Sequence, residues 1–249
     1  MHLNEQFPDF AAQGTEGVFK CYDFMGASWM ILFSHPNDFT PVCTTELARA
    51  VELNAEFKKR NTKLVALSCN SNDSHDKWIP DILAYGKRAV RDKGGDESSI
   101  PDKFPFPIIA DESRALAHQL EMLDQAEKDS QNVPMTARAV FFVSPDHKLK
   151  AQIVYPATTG RNFDEILRVL DSLQLTYTKQ VATPVDWQMG DQCMVPPTSM
   201  KSRPSISSAT AWRPSKCPPG RPTFARRSLR TTRTYFELCI IAMMTPVCN

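Results

Sequence analysis

The sequence contains no long hydrophobic run, and this absence bears on where the protein can reside. No segment approaches the roughly 18 consecutive apolar residues that a membrane-spanning helix needs. The N-terminus has no basic stretch followed by an apolar one, so we expect no secretory signal peptide. We therefore expect a cytoplasmic protein without stable membrane insertion, in a reducing compartment where cysteines are mostly free thiols.

The sequence also lacks a Cys-x-x-Cys pair, and its 7 cysteines are widely scattered. Zinc sites are usually built from closely spaced cysteine and histidine pairs. We therefore expect no zinc site. We also predict no other metal and no bound cofactor.

Acidic residues are almost absent from the end of the chain. From Gln192 onward there are nine Lys and Arg against one acid, Glu237, so this segment carries +8 in a chain of formal net charge +1. The residues before it therefore sum to −7. Such a tail can bind nucleic acid or anionic lipid. Alternatively, the tail and the acidic body do not share one evolved design.

Strand-like and helix-like segments alternate through the body of the chain. Apolar runs predict strands at 29–33, 63–68, 106–110, 139–143 and 149–154, the last two joined as a hairpin. Helical spacing predicts helices at 47–59, 71–85, 113–123 and 161–175. Pro80 is expected to end or kink the second helix, and the charged segment 86–103 is expected to be a surface loop. This order indicates an α/β fold with a mixed sheet.

Cys43 lies where a strand-like segment and a polar loop give way to a helix-like segment. A sulfur at the start of a helix lies near unpaired backbone N–H groups and the positive end of the helix dipole. These features favour the thiolate and lower a cysteine pKa that is ordinarily near ~8.5. The position therefore suits a nucleophile, although a free cysteine is also commonly a small buried packing residue.

The spacing Pro36-x-x-x-Thr40-x-x-Cys43 makes the nucleophile interpretation more specific. The Thr40 hydroxyl can both donate to and accept from a bound peroxide. Cleavage of an O–O bond needs fixed donors that stabilise the leaving oxygen. The backbone N–H groups of Val42 and Cys43, together with a cation, would supply them.

Several longer stretches carry a family resemblance. They are Phe33 to Pro36, Thr40 to Leu47, Pro105 to Ile109, Thr136 to Arg138, Tyr155 to Ile166 and Val181 to Trp187. Together they resemble the 1-Cys class of the peroxiredoxins, over about residues 3–197. The resemblance implies a thioredoxin-like fold, a mixed central sheet flanked by helices, with a smaller C-terminal domain that is truncated or scrambled here. It implies a homodimer, a peroxidase domain at 3–155 and the start of the C-terminal domain at 156–197.

The resemblance also implies roles for individual residues. Cys43 would be the peroxidatic cysteine, and Thr40 and Arg138 would position the peroxide. Glu46 and Arg161 match a charged network around the site. His35 matches a histidine near the reactive sulfur, although from its context alone we favour a structural, hydrogen-bonded histidine.

The expected reaction converts the Cys43 thiolate to a sulfenic acid as the peroxide is reduced. No cysteine lies between the helix that begins at Arg161 and Trp187, where a resolving cysteine would be expected. Cys21 and Cys69 lie in strand-like contexts and are interpreted as packing residues. The implied reductant is therefore an external thiol, either glutathione with its transferase or thioredoxin.

Vertebrate members of the family are credited with a phospholipase-type activity at a serine in a G-x-S-x-G context. Here the segment is Gly26-Ala27-Ser28-Trp29-Met30, and Tyr22 stands where the histidine would be, although Asp146 keeps the aspartate position. A serine without its general base is poorly activated. We therefore interpret Ser28 as a turn residue.

Two alternatives to a peroxidase remain open at this stage. One is a signalling protein whose Cys43 senses peroxide and passes the oxidation to partners. The other is a lipid-directed hydrolase or acyltransferase, which the replacement at Tyr22 disfavours.

The tail from residue 198 to 249 departs from the family. Relatives continue with an acidic helix and end near a Met-Pro-Ser-Gly-Lys-Thr-Tyr-Leu-Arg type segment. Codons for Lys216 to Arg226, read two bases later, can spell that segment. We interpret the tail as the product of a reading-frame shift near Pro197 to Met200, expect it to be disordered, and do not take its charge as evidence of nucleic-acid binding.

Overall fold

The computed structural model describes residues 1–195 and 214–216. The strands of these residues are β1 (Ala11–Gly14), β2 (Gly17–Lys20), β3 (Trp29–Ser34), β4 (Thr62–Ser68), β5 (Ile108–Ala110), β6 (Leu123–Lys128), β7 (Pro134–Thr136), β8 (Arg138–Val143), β9 (Leu149–Tyr155), β10 (Gln192–Met194) and β11 (Pro214–Lys216). The helices are α1 (Cys21–Met25), α2 (Pro41–Lys59), α3 (Asn72–Asp92), α4 (Ala115–Gln119) and α5 (Phe163–Lys179).

Seven strands form one mixed sheet in the order β2-β1-β5-β4-β3-β8-β9. The central strands β3, β4 and β5 are parallel, whereas β8 is antiparallel to β3, with Leu32 opposite both Val65 and Phe141. The β8–β9 pair is the antiparallel hairpin that the sequence predicts. The α/β architecture with a mixed sheet is therefore confirmed.

Both faces of the sheet are covered, which explains the continuous apolar runs of its central strands. Alternate residues of a strand point to opposite faces. Ile31 and Phe33 accordingly pack in a core with α2, α3 and α5, whereas Met30 and Leu32 pack in a second core with α1 and α4. The first core contains Cys43, so the nucleophile candidate is part of the packed interior.

Helix α3 differs from the sequence expectation at Pro80. The helix does not end there but runs to Asp92, so residues 86–92 are helical rather than part of a surface loop. Pro80 lies on the exposed face. The opposite face buries an apolar stripe, Trp78, Ile82, Leu83, Gly86 and Val90. Packing of that stripe outweighs the one backbone hydrogen bond that proline removes.

Three other expectations also need correction. Helix α4 covers only Ala115–Gln119 of the predicted 113–123, because Leu123 instead begins β6 and pairs with Thr136. Helix α2 begins at Pro41, six residues before the predicted start. Cys21 begins helix α1 rather than lying in a strand.

The segments after α5 are described only in part. Strands β10 and β11 pair antiparallel, with Cys193 opposite Ser215. The predicted disorder from residue 198 onward concerns residues that lie outside the described ones, except for β11, which forms a strand. The frame-shift interpretation also lies outside the described residues. None of the helices in the described part of the chain is both long and apolar enough to cross a membrane.

Candidate active site

Cys43 is the third residue of helix α2. Thr40 precedes the helix with an extended backbone (φ −97°, ψ 146°), and Pro41 occupies the first helical position, where its missing N–H costs nothing. The backbone N–H of Cys43 is thus one of those that a helix leaves without an intrahelical partner. The position of Cys43 at the start of α2 agrees with the predicted loop-to-helix position. Its side chain is fully buried.

A guanidinium group lies against the sulfur. Nη1 of Arg138, from the first residue of β8, is 3.4 Å from Sγ of Cys43 and donates to Oε2 of Glu46 at 2.7 Å. Nε and Nη2 of Arg138 both donate to the carbonyl oxygen of Ala157, at 2.8 and 2.6 Å. Arg138 is 2% exposed, so its orientation is fixed and its charge is poorly screened by solvent.

Glu46 joins Arg138 to a second buried arginine. It lies three residues after Cys43 on α2 and therefore faces the same side of the helix. Its carboxylate accepts from the backbone N–H, Nε and Nη2 of Arg161, at 2.6, 3.0 and 2.7 Å. Burial alone would raise the pKa of Glu46, but the charge and hydrogen bonds of Arg161, with the charge of Arg138, hold it below its ordinary value.

Arg161 is fixed on its other side by the sheet. Its Nη1 donates to the carbonyl oxygens of Ser34 and Ala139, at 2.8 and 3.0 Å, and its guanidinium carbon lies 5.3 Å from the centre of the Phe33 ring. Two buried arginines and one carboxylate leave one positive charge unbalanced. The Sγ atom of Cys43 lies beside this positively charged cluster, 3.4 Å from Nη1 of Arg138.

The Thr40 side chain is directed into its own loop. Its hydroxyl donates to the carbonyl oxygen of Asn37 at 2.9 Å, so the oxygen lone pairs remain as acceptors. The Thr40 carbonyl oxygen accepts from the backbone N–H and the hydroxyl of Thr44, at 3.0 and 2.9 Å. The indole N–H of Trp78 donates to that Thr44 hydroxyl at 3.2 Å, which ties the start of α2 to α3.

His35 makes its side-chain hydrogen bond to Asp38 rather than to Cys43. Its Nε2 lies 2.8 Å from Oδ1 of Asp38, and the residue is fully buried. Burial lowers the pKa of His35, although the hydrogen bond to Asp38 opposes this. This geometry is that of the structural, hydrogen-bonded histidine favoured from the local sequence.

Asp38 and His75 were not identified from the sequence as site residues. With His35 they form a group whose ligand atoms lie within 4.8 Å of one another, a spacing that could hold a metal ion. However, both carboxylate oxygens lie at hydrogen-bond distance, 2.8 Å, from an imidazole nitrogen. The carboxylate is thus held by both histidines, whereas Nδ1 of His35 and Nε2 of His75 are buried without a hydrogen-bond partner among the described residues. The expected absence of a metal remains a prediction. The Ser71 cap at the start of α3 is the one local signal that could have pointed to His75.

The two other free cysteines among the described residues are poorly suited to nucleophilic roles. Cys21 is fully buried, and burial, together with the nearby charge of Asp9, raises its pKa to about 12. Cys69 is half-buried just after β4, and burial raises its pKa to about 11. Both thiols therefore remain protonated near neutral pH.

The candidate hydrolase residues do not form a catalytic group. The hydroxyl of Ser28 donates to Oδ1 of Asn61 at 2.9 Å. The Tyr22 hydroxyl donates to the carbonyl oxygen of Phe7 at 2.5 Å, and Asp146 accepts from the hydroxyl of Ser144. Among the hydrogen bonds of the described residues, none joins Ser28 to Tyr22 or to Asp146.

Comparison with known proteins agrees with the fold and the site. Residues 3–152 match the AhpC/TSA family, and residues 172–202 match the C-terminal domain of 1-Cys peroxiredoxin. The chain is 59% identical to a 1-Cys peroxiredoxin of Dirofilaria immitis over 198 residues, which cover 79% of this chain and 83% of the relative. It is 58% identical to peroxiredoxin-6 of Mus musculus over 196 residues, which cover 79% of this chain and 83% of that protein.

Solved structures give the same result. A peroxiredoxin 6 of Arenicola marina superposes with a TM-score of 0.73 at 50% identity, covering 84% of this chain and 86% of the other. A yeast mitochondrial 1-Cys peroxiredoxin superposes with a TM-score of 0.72 at 36% identity, covering 87% of this chain and all of the other. The mixed sheet flanked by helices is thus the predicted thioredoxin-like fold. The chain belongs to the AhpC/TSA family of thiol-dependent peroxidases, within its 1-Cys peroxiredoxin class.

Proposed function

We propose that this protein reduces hydrogen peroxide and organic or lipid hydroperoxides, with Cys43 as its single peroxidatic cysteine, in antioxidant defence and redox homeostasis. The observation that carries the proposal is the 3.4 Å approach of Nη1 of Arg138 to Sγ of Cys43. The same nitrogen is held by the Glu46 carboxylate, so the cation cannot turn away from the sulfur. A fixed cation beside a buried sulfur is the arrangement that a thiolate nucleophile requires.

The proposed reaction begins with the Cys43 thiolate attacking the terminal oxygen of the hydroperoxide. An S–O bond forms, the O–O bond breaks, and the other oxygen leaves as an alkoxide or hydroxide. This leaving group takes one proton from solvent and departs as an alcohol or as water. The sulfur, oxidised by two electrons, remains as a sulfenic acid.

Thr40 and Arg138 are the proposed positioning groups for the peroxide. The Thr40 hydroxyl donates a hydrogen bond to the carbonyl oxygen of Asn37, so its own oxygen can accept a hydrogen bond from the O–H of the bound hydroperoxide. Arg138 would stabilise the negative charge that develops on the leaving oxygen. Glu46 and Arg161 act indirectly. Glu46 orients Arg138 and balances its charge, and Arg161 holds the Glu46 carboxylate in place.

The sulfenic acid is proposed to be reduced by an external thiol. A first thiol forms a mixed disulfide with Cys43 and releases water, and a second thiol then frees Cys43. Cys21 and Cys69 are poor substitutes, because burial raises both of their pKa values. The similar yeast mitochondrial 1-Cys peroxiredoxin is described as resolving its thiol through the glutathione and thioredoxin systems. Glutathione with its transferase, or thioredoxin, is the corresponding proposal here.

The remaining proposals concern the location, the assembly and the domains of the protein. We expect a cytoplasmic homodimer with no nucleic-acid partner. Its peroxidase domain would extend over 3–155 and its C-terminal domain would begin at 156, as the family resemblance implies.

A steady-state assay tests the function. Hydrogen peroxide consumption is measured with glutathione plus its transferase and, separately, with thioredoxin plus its reductase. We expect catalytic turnover with at least one system and background consumption for Cys43→Ser with both. Oxidation of Cys43 by a single equivalent of peroxide without turnover in either system would favour the peroxide-sensor alternative instead.

A further inference from the structure

The carboxylate of Asp38 is held by side chains from two separate parts of the fold. One oxygen, Oδ1, lies 2.8 Å from Nε2 of His35 at the end of β3. The other, Oδ2, lies 2.8 Å from Nδ1 of His75 and accepts from the hydroxyl of Ser74 at 2.7 Å, both in the first turn of α3. Asp38 is 4% exposed and both histidines are fully buried. These donors therefore fix Asp38 in one position, because a buried carboxylate without partners is costly.

Asp38 in turn belongs to the short loop that presents Thr40. Phe39, between them, has a positive φ of 55°, a left-handed conformation that an aromatic residue rarely adopts. Its side chain is 54% exposed, so burial does not hold this backbone in place. A strained residue persists only where its surroundings determine it. Those surroundings include the clamped Asp38 on one side and the start of α2 on the other. Asn70 also holds the loop, because its side chain accepts from the backbone N–H of Asp38 at 3.1 Å. The Phe39 ring lies beside Trp78, with ring centres 6.3 Å apart.

We propose that His75 is a positioning residue for the peroxide reaction, acting through Asp38 to hold the 36–40 loop in the strained conformation that leads into Thr40, the residue before α2 and three positions before Cys43. His75 lies 32 residues after Cys43, on a different helix, and makes no contact with the sulfur among the described contacts. Its effect therefore passes through the loop and not through the thiolate. This inference rests on the proposed function of Cys43 and Thr40.

Two substitutions at His75 separate the hydrogen bond from the packing. In His75→Asn the side-chain amide nitrogen can occupy the place of Nδ1 and still donate to Asp38. In His75→Leu the volume is similar but no donor remains. Lys77→Ala, at an exposed position on the same helix, is the control. Thermal unfolding gives the folded fraction of each variant, and Asp38→Asn serves as a second variant with the same expected loss if His75→Leu does not fold.

Two rate constants distinguish positioning from general damage to the site. The rate of Cys43 with hydrogen peroxide depends on both the thiolate and Thr40, whereas alkylation by iodoacetamide depends on the thiolate alone. We expect His75→Leu to lower the peroxide rate by about 10- to 100-fold, as small misplacements of a positioning group do. We expect its alkylation rate, and both rates of His75→Asn and Lys77→Ala, to remain within about 3-fold of the original.

A double-mutant cycle with Thr40→Val completes the test. If His75 acts through Thr40, adding His75→Leu to Thr40→Val lowers the peroxide rate by less than about 2-fold further. Equal losses of both rates in His75→Leu, or full additivity with Thr40→Val, would overturn the inference. An unmodified chain that does not react with peroxide at Cys43 would instead overturn the proposed function.

Discussion

Nη1 of Arg138 lies 3.4 Å from Sγ of Cys43, and both side chains are buried. The two residues are 95 positions apart in the sequence, and they meet because β8 lies beside β3, whose end leads into the loop before α2. Because both side chains are buried, solvent screens the charge of the guanidinium poorly at the sulfur. The reactivity proposed for Cys43 therefore depends on the position of a strand and not only on the start of a helix.

Replacement of Arg138 by lysine tests whether the planar guanidinium is needed or only its charge. Arg138 contacts Cys43, Glu46 and Ala157 at once, which a single ammonium group cannot do. We expect Arg138→Lys to lower the peroxide rate by about 10-fold or more, since the cation is no longer held in a fixed orientation. Stopped-flow kinetics would measure this. A Lys variant with the original rate would show that charge alone suffices.

Glu46 is predicted to matter for stability as well as for activity. Its side chain is 3% exposed and is the shared carboxylate partner of Arg138 and Arg161. Glu46→Gln removes the carboxylate charge that both buried arginines share, and removal of one partner from a buried ion pair typically costs about 3–5 kcal/mol. Urea unfolding at neutral pH would measure the loss. Glu52→Gln, at a less buried position on the same helix, is the matched control and should change the free energy of unfolding by less than about 1 kcal/mol.

Stability is predicted to fall in two steps as the pH is lowered. Burial lowers the pKa of His35 in the folded protein. As the pH is lowered, this histidine is therefore protonated in the unfolded chain before it is protonated in the folded protein, and the free energy of unfolding declines below about pH 6.5. Burial opposes ionisation of Asp38 and Glu46, but their hydrogen bonds and neighbouring charges hold both pKa values below the ordinary range. Their contribution is full above about pH 4.5 and is lost as the pH falls below it.

Unfolding free energies measured from pH 7.5 to pH 3 would reveal these steps. His35→Asn should remove the decline between about pH 6.5 and pH 5 and keep the steeper one below it. A profile that is flat from pH 7 to pH 5 in the unaltered protein would contradict the assignment of His35.

Ester hydrolysis of phospholipid vesicles is predicted to stay at background. The Ser28 hydroxyl is bonded to Asn61, and the Tyr22 hydroxyl is directed to the Phe7 carbonyl, so no general base contacts the serine among the described residues. Released fatty acid would be measured for the unaltered protein and for Ser28→Ala. Strong cleavage that disappears in Ser28→Ala would show that this interpretation of Ser28 is wrong.

The residues at the start of α2 made the position of Cys43 predictable from the sequence. Proline at the first position of a helix and a cysteine two residues later place a sulfur at a helix N-terminus wherever the chain folds as α/β. Arg138 and Arg161 could not be found in this way, because nothing in local spacing brings β8 and the loop before α5 to α2. Only the family resemblance pointed to them. Asp38 and His75 were missed because their contact forms only once α3 packs beside the end of β3.

The errors in the predicted helix boundaries have a related cause. Periodicity and proline rules describe the isolated chain, whereas burial of Gly86 and Val90 extends α3 past Pro80. Likewise, Leu116 and Leu120 favour a longer helix, but pairing of Leu123 with Thr136 draws the next residues into a strand. In both places tertiary contacts outweighed the local preference.

Cys43 is the residue that we expect peroxide to oxidise first, and mass spectrometry after a brief exposure to peroxide would identify the oxidised residue. The reduced protein is mixed with one equivalent of hydrogen peroxide, trapped with a sulfenic-acid reagent and digested. We expect the trapped adduct on the Cys43 peptide, the Cys21 and Cys69 peptides as thiols, and no adduct in Cys43→Ser. An adduct on Cys21 or Cys69 with Cys43 unmodified, or peroxide reduction undiminished in Cys43→Ser, would contradict this expectation.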